Sequence, residues 1–438
     1  MRPVPRGMRS GKEDPSVKSG KSKRIIKYYP WVIVFTGMLT NLMVGMCSNI
    51  MSVYLPFIEE RDHLTGAAGS AIVSVRCAFA FLATFFVVRF YERVSLRKGM
   101  ALAVILAACG YAVMSVGGGA FVYYLGAAFI GTGFSMICTV PVAMLLKSWF
   151  QGRYGLATGL CSAGTGLSTL LFSQPLTNMI TRTSLRTTFL VHMGIMCAGA
   201  LLLYLLVRDT PEKLGAEPYR DTAPAGTAPA GATARLPECG HSLSRPAMLV
   251  LAVMMILTGG ANTSFCSHIY ILNTTCGYSV TTAARILSLF SLVLIFGKTA
   301  AGAVADRLGG LRTGLLLIAV FCIGCLPALG MDGRNLFFPA AMAVILACGA
   351  PVYAMGPPLW VREIVPSRDY ARTLQWSQCF FNLGGILLSS IPGMIADRTG
   401  EYRSTYILLA LDMAVAAVLL VWIYKVQCGP QRQKGEPA

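Results

Sequence analysis

Two short stretches decide the fold: Tyr91-Glu92-Arg93-Val94-Ser95-Leu96-Arg97-Lys98 and Ala305-Asp306-Arg307-Leu308-Gly309-Gly310-Leu311-Arg312. An offset of 214 pairs Glu92 with Asp306, Arg93 with Arg307 and Lys98 with Arg312. Close to that offset Pro141 answers Pro357, Arg153 answers Arg368 and Pro175 answers Pro392. The chain therefore consists of two related halves in the same orientation. Apolar runs flank both charged stretches, and they determine what the halves are.

Of 438 residues, 55% are hydrophobic and 13% charged, with a mean hydropathy of +0.61. Soluble domains carry roughly 25% charged residues, so lipid is the solvent for most of this surface. A membrane-spanning helix needs about 20 consecutive apolar residues. Such runs occur at 30–57, 68–91, 99–117, 120–147, 155–180, 189–207, 247–272, 283–305, 313–331, 336–361, 373–395 and 404–424. The expected fold is an all-α membrane protein with twelve spans in two pseudo-symmetric six-helix bundles. The first run is too long for the core of a cleavable signal and reads as a signal anchor.

A net charge of +18 would suggest nucleic acid in a soluble protein, but its placement argues otherwise. Of 37 Lys and Arg residues, 28 fall in the tails, the loops after even-numbered spans and the span ends beside those loops (Arg89, Lys147), six in the opposite loops and three deeper inside spans. By the positive-inside rule both termini are cytoplasmic. The expected partners are a lipid bilayer and a small solute, with no nucleic acid, in a plasma-membrane protein that works as a monomer. The organisation is a basic tail (1–29), a first bundle (30–207), a cytoplasmic linker (208–246), a second bundle (247–424) and a short tail (425–438). Residues 221–234 are small, repetitive and rich in Pro and Gly, so the linker reads as flexible.

No metal or other cofactor is expected. Cys322 and Cys325 sit in an apolar run without a second pair, and no nucleotide loop or nucleophile constellation marks an enzyme. Parallel half-repeats are a plan that transporters use, with the substrate between the halves near the midplane.

A carboxylate at the end of a helix can pair with arginines and with the positive N-terminus of a neighbouring helix. The acid–Arg loops thus read as a conformational latch made of Glu92, Arg93, Arg97, Lys98, Asp306, Arg307 and Arg312. The loop from Gly302 to Arg312 resembles the signature loop of the major facilitator superfamily; the first-half copy departs from it at Glu92 and Ser95. Trp149-Phe150-Gln151-Gly152-Arg153-Tyr154-Gly155-Leu156-Ala157-Thr158-Gly159-Leu160 is similar to the span four-to-five segment of the oxalate/formate antiporter and monocarboxylate transporter group. Tyr29-Pro30-Trp31 and Asp209-Thr210-Pro211-Glu212-Lys213-Leu214-Gly215 look similar to that group too.

A charge at the bilayer centre costs at least ~2.5 kcal/mol on insertion scales, so each one needs a reason. The candidates are Arg76 in span two, Arg285 and Lys298 in span eight and Asp412 in span twelve. On a helical projection, Arg285, Ser288, Ser291, Lys298, Thr299, Gly302 and Asp306 share one polar or small side of span eight, as expected of a wall to a wet cavity. The resemblance implies a substrate-binding Arg where Lys298 stands; lysine offers a point charge instead of a bidentate fork, and can titrate. The second cation, which the oxalate/formate group carries in span eleven, is absent here, where Gln375, Gln378 and Asn382 stand. Span one offers Asn41, Asn49 and Tyr54. The substrate-binding candidates are Lys298, Arg76, Tyr54, Asn41, Ser291, Gln378 and Asn382. One deep cation suits a monocarboxylate, carried by proton symport or anion exchange. The alternatives are export of a drug or neutral solute, and a non-transporting sensor on the same fold. Gly126, Gly131, Gly133, Gly384 and Gly385 read as close-packing positions, and Pro357-Pro358 predicts a kink in span ten.

Overall fold

The computed structural model describes residues 16–214, 218, 219, 242–388, 391, 394, 395, 398 and 403–432. The start of the basic tail, the 221–234 stretch, Pro392 and the last six residues lie outside the described residues.

Serine and threonine hydroxyls start several spans by taking up a free backbone N–H of the first turn: Thr65 for span two, Ser95 for three, Ser184 for six, Ser244 for seven and Ser279 for eight. The described residues of all twelve expected segments are largely helical. Nine helices among the described residues are long and apolar enough to cross a membrane, or ten with a bent pair in span two. Spans eight and nine raise the number again, because Val280–Cys325 is one helical run that turns at Gly309, where φ 79° and ψ 168° leave the helical region. Span eleven, Tyr370–Leu388, does not stand out as apolar because it carries Gln375, Gln378 and Asn382.

Among the described residues, four spans are interrupted. Span one breaks between Ser16–Ser48 and Met51–Arg61, and span four at Cys138, between Ala120–Ile137 and Thr139–Trp149. Span two bends by 55° between Ala71–Thr84 and Val87–Arg93. In span ten the interruption lies at Ala350, between Phe337–Gly349 and Pro351–Ile364, and not at Pro357-Pro358, through which the second helix runs. Pro351 takes the first turn of that helix, where no N–H is required, which is the position proline favours.

The half-repeat governs packing. Span one lies against span five as seven lies against eleven, and span three against six as nine against twelve. The bundles meet chiefly along spans five and eight, with a lesser contact between two and eleven. Both ends of the helical chain and the described parts of the linker share one side, called here the linker side: Tyr29 bonds the Leu206 carbonyl (2.8 Å) and Gln427 the Ser242 carbonyl (3.4 Å). The linker begins anchored there. Asp209 accepts from the Arg97 N–H (2.9 Å), the Arg208 carbonyl from the Trp149 indole (2.8 Å), and Tyr219 pairs with Trp149, Gln151 and Gly152 through its backbone. The Tyr219 ring packs on Trp31 and Phe150, an aromatic anchor that the low-complexity reading of the linker did not weigh.

Candidate functional site at the seam between the halves

Spans five and eight touch backbone to backbone. A Cβ on Gly302 would meet the Gly155 carbonyl, and one on Gly159 would meet the Lys298 carbonyl. This closeness lets side chains of one half reach backbone of the other. Lys298, 8% exposed, donates from Nζ to the Ser162 carbonyl (3.1 Å) and to the Thr165 hydroxyl (2.7 Å). The lysine therefore crosses the seam into neutral oxygens of span five. Ser291, two turns away, is half-buried and bonds its own helix at Leu287 (2.9 Å). On the same side of span eight Arg285 and Ser288 are exposed.

At the linker end of this seam Asp306 sits on the first turn of span five. Its carboxylate accepts from Gly155 N–H (2.6 Å) and Leu156 N–H (2.8 Å), so it caps a helix of the opposite half. The turn that aims those donors has Arg153 at φ 53°, a left-handed conformation.

The other latch residues are used differently. Glu92 pairs with Arg372 of span eleven at 3.8 Å, both well exposed. Arg97 stays within its own half, stacked 4.2 Å over Tyr204 and bonded to the Tyr204 carbonyl (2.5 Å). Lys98 contributes its backbone N–H to the Ser95 cap (3.5 Å), and the side chains of Arg93, Lys98, Arg307 and Arg312 are exposed.

Along spans two and eleven the contact runs from side chain to backbone. The bend in span two breaks its hydrogen-bond ladder, and Gln375 reaches across to mend it. Its Oε1 accepts from Val88 N–H (2.8 Å) and its Nε2 donates to the Phe85 carbonyl (3.0 Å). Beside it Gln378 donates to Asn382 (3.1 Å), Asn382 to Thr84 (3.3 Å), and Thr84 pairs with Ser135 (2.8 Å). Thr84, Phe134, Ser135, Cys138, Gln378 and Asn382 are among the walls of a cavity of about 10 Å³ between spans two, four and eleven. Gln378 and Asn382 are thus brought together.

Arg76 borders this cluster. Its guanidinium lies 5.5 Å from the ring centroid of Phe134, and its nearest polar partner is Cys77 Sγ at 3.4 Å. Arg76 Nε is buried without a hydrogen-bond partner, and no carboxylate pairs with Arg76 among the described residues.

Tyr54 and Asn41 do not join. Tyr54, fully buried, faces the core of the first bundle, bonded to His192 Nδ1 (2.7 Å) and packed with Tyr111 and Phe189. The aromatic ring, which sequence position alone presents as a candidate wall of the cavity, is used for packing. Asn41 bonds the Gly37 carbonyl of its own helix (3.0 Å). Gln375, noted in the sequence only as a polar residue where a second cation is absent, is the missed contact; its uncommon burial in span eleven depends on a bend that composition does not show.

Comparison with known proteins agrees with this architecture. The model of the Major Facilitator Superfamily matches residues 37–361 and 251–437. Monocarboxylate transporter 12 of Xenopus laevis is 25% identical over 74% of this chain and 74% of its own length, and monocarboxylate transporter 13 of Rattus norvegicus is 26% identical over 74% and 72%. Among solved structures, the fold is similar to that of the major facilitator transporter FucP in its outward conformation, with a TM-score of 0.67, 14% identity and coverage of 89% of this chain and 98% of that one. Two six-helix halves, a seam built on spans five and eight and a family match across nearly the whole chain establish that this protein belongs to the Major Facilitator Superfamily, as a membrane transporter and not an enzyme.

Proposed function

We propose that the protein carries a small organic anion, a monocarboxylate by preference, through alternating access, by proton symport or anion exchange. The carrying observation is Arg76: a guanidinium within a spanning helix, with a buried Nε and neither carboxylate nor carbonyl paired to it among the described residues. An intramembrane cation is costly unless compensated, and an anionic solute supplies the compensation. Lys298 adds a second positive charge that is held by neutral oxygens at the seam. The relatives named as monocarboxylate transporters support the same substrate class.

In this reading the linker side is cytoplasmic, the membrane is the plasma membrane, and the monomer is the working unit. The structure is then closed towards the cytoplasm through Asp306, Gln375 and Lys298. Opening to that side withdraws Lys298 from Ser162 and Thr165, which frees the ammonium for the anion or for deprotonation.

The test is uptake of labelled lactate, formate and oxalate into proteoliposomes, with and without a pH gradient, for the wild type, Lys298→Ala and Arg76→Ala. Saturable uptake of one carboxylate, abolished by Arg76→Ala and lowered in Lys298→Ala, is the expected result. Uptake that survives both substitutions removes the site. No anion uptake by folded protein removes the substrate class and leaves a neutral solute as the cargo.

A further inference from the structure

One residue of the linker closes the turn that joins spans four and five. The Tyr219 N–H donates to the Trp149 carbonyl (2.8 Å), and the Tyr219 carbonyl accepts from Gln151 N–H (3.0 Å) and Gly152 N–H (3.1 Å). The result is an isolated parallel bridge between Phe150 and Tyr219. The ring of Tyr219 fixes the bridge from the side, 5.9 Å from the Trp31 centroid and 5.5 Å from that of the fully buried Phe150. The start of the linker grips the same place: the Trp149 indole donates to the Arg208 carbonyl (2.8 Å) and the Ser148 hydroxyl to that of Asp209 (3.0 Å).

The second half solves the same problem without the linker backbone. Arg153 answers Arg368, so Phe150-Gln151-Gly152 stands where the second half has Val365-Pro366-Ser367. There the turn closes within itself, with the Asp369 N–H bonded to the Pro366 carbonyl (3.0 Å). Proline fixes its own φ, and Gln151 does not. From the linker this second turn receives a side chain, as the Ser242 hydroxyl donates to Asp369 (2.6 Å).

The first-half turn also has the harder task. Arg153 adopts φ 53°, and its side chain gives span five no cap. A residue other than glycine stays left-handed only where its surroundings over-determine it. The bonds of Tyr219 end at Gly152, directly before Arg153. Two residues beyond Arg153 begin the N–H groups of Gly155 and Leu156, which Asp306 of the other half accepts.

We infer that Tyr219 is a positioning residue of the transport cycle: docked on the turn, it holds Arg153 left-handed and so aims Gly155 and Leu156 at Asp306. The inference rests on the alternating-access reading and not on which solute is carried. When Tyr219 lifts, Gln151 and Gly152 lose their acceptor and Arg153 is free to leave its conformation. The carboxylate then faces a helix end that is no longer aimed at it. The linker is thus more than a tether, because its docked state sets how firmly the halves hold at Asp306.

Hydrogen–deuterium exchange read at single amides, on the full chain in lipid nanodiscs, tests this with Tyr219→Ala, Tyr219→Phe, Asp306→Ala and the Tyr219→Ala, Asp306→Ala double variant. Thermal unfolding checks that each variant is folded. In Tyr219→Ala, exchange at Gly155 and Leu156 should be roughly tenfold faster, the size of one lost hydrogen bond to a charged group. Tyr219→Phe keeps both ring contacts and should match the wild type. In Asp306→Ala there is no acceptor left to aim at, so adding Tyr219→Ala should change nothing at those two amides. Faster exchange confined to Gln151 and Gly152 would make Tyr219 a local anchor and overturn the inference. So would an effect of Tyr219→Ala that is equally large in the Asp306→Ala background, or a Tyr219→Phe protein as fast as Tyr219→Ala. If Tyr219→Ala does not fold, Trp31→Leu, which removes one wall of the dock from span one, carries the same reading. Exchange is measured with no solute present, so a failure of anion uptake leaves this result standing and the two readings fall separately.

Discussion

The two seams between the halves are built from the same repeat in different ways. Spans five and eight meet backbone to backbone at Gly155, Gly159 and Gly302, with Asp306 bonded to two N–H groups at their linker end. Spans two and eleven meet through side chains: Gln375 mends the bend in span two, and the corresponding acid, Glu92, reaches the side chain of Arg372 and no backbone N–H among the described residues. A duplicated sequence thus does not give duplicated contacts. Aspartate with glycines beside it allows a close approach, whereas glutamate followed by Val94 and Ser95 keeps its helix further away and leaves a buried glutamine to hold the seam.

The largest effect belongs to Gly302→Leu. The new side chain would run into the Gly155 carbonyl, and neither backbone can yield without parting the spans. Overpacking costs about 1–3 kcal/mol where neighbours can adjust, and here backbone is opposed to backbone, so the upper end or beyond is expected. Thermal unfolding in detergent should show a marked loss, and transport should fail. A stable, active Gly302→Leu protein would show that the five–eight seam is loose and that the comparison is wrong.

Next comes Gln375→Leu, which leaves the Val88 N–H and the Phe85 carbonyl without partners in a buried place. Each such group costs about 1–3 kcal/mol, so a loss of about 2–4 kcal/mol in the closed state is expected. Exchange of the Val88 amide should accelerate strongly. If it does not, span two closes its own break, and Gln375 is a spectator.

Much of this was legible in the sequence. The spans follow from apolar runs, and the two acidic loops from their shared pattern. Lys298 stands out because span eight has one polar side. What was not legible depends on placement. The interruptions at Asn49–Ile50 and Phe85–Phe86 carry no compositional mark and the one at Ala350 carries Pro351, whereas Pro357-Pro358 carries the stronger mark and does not interrupt. The partners of Lys298 on span five are fixed by the register of two helices, which glycine contacts set. Tyr154 and Tyr370, whose hydroxyls meet at 2.9 Å across the two halves, stand 216 residues apart, close to the repeat offset, so that contact too has a signal in the sequence. Tyr54 shows the converse: one aromatic in a spanning helix does not reveal which way it points.

Asp306→Asn ranks third. The amide keeps one acceptor for Gly155 or Leu156 and turns an NH₂ towards the other donor. A hydrogen bond to a charged group is worth about 1.5–3 kcal/mol, and Asp306 is exposed enough for water to replace part of it, so about 1.5 kcal/mol is expected. The closed state should become roughly tenfold less favoured, read as faster exchange at the start of span five. An effect as large as that of Gln375→Leu would mean that the capping bond, and not the glycine contact, holds the five–eight seam.

The smallest effect is that of Glu92→Gln, and it separates the two loops most cleanly. Glu92 and Arg372 are 52% and 74% exposed and 3.8 Å apart. Exposed ion pairs contribute about 0–1 kcal/mol and are screened by salt. Glu92→Gln should therefore leave unfolding temperature and exchange in span eleven nearly unchanged, and raising the salt should remove what difference remains. Asp306→Asn, whose lost contacts are to backbone N–H groups of a helix terminus, should persist in high salt. If Glu92→Gln instead matched Asp306→Asn in size and resisted salt, Glu92 would have to cap span eleven in a state other than this one. The asymmetry between the seams would then belong to one step of the cycle and not to the sequence of the two loops.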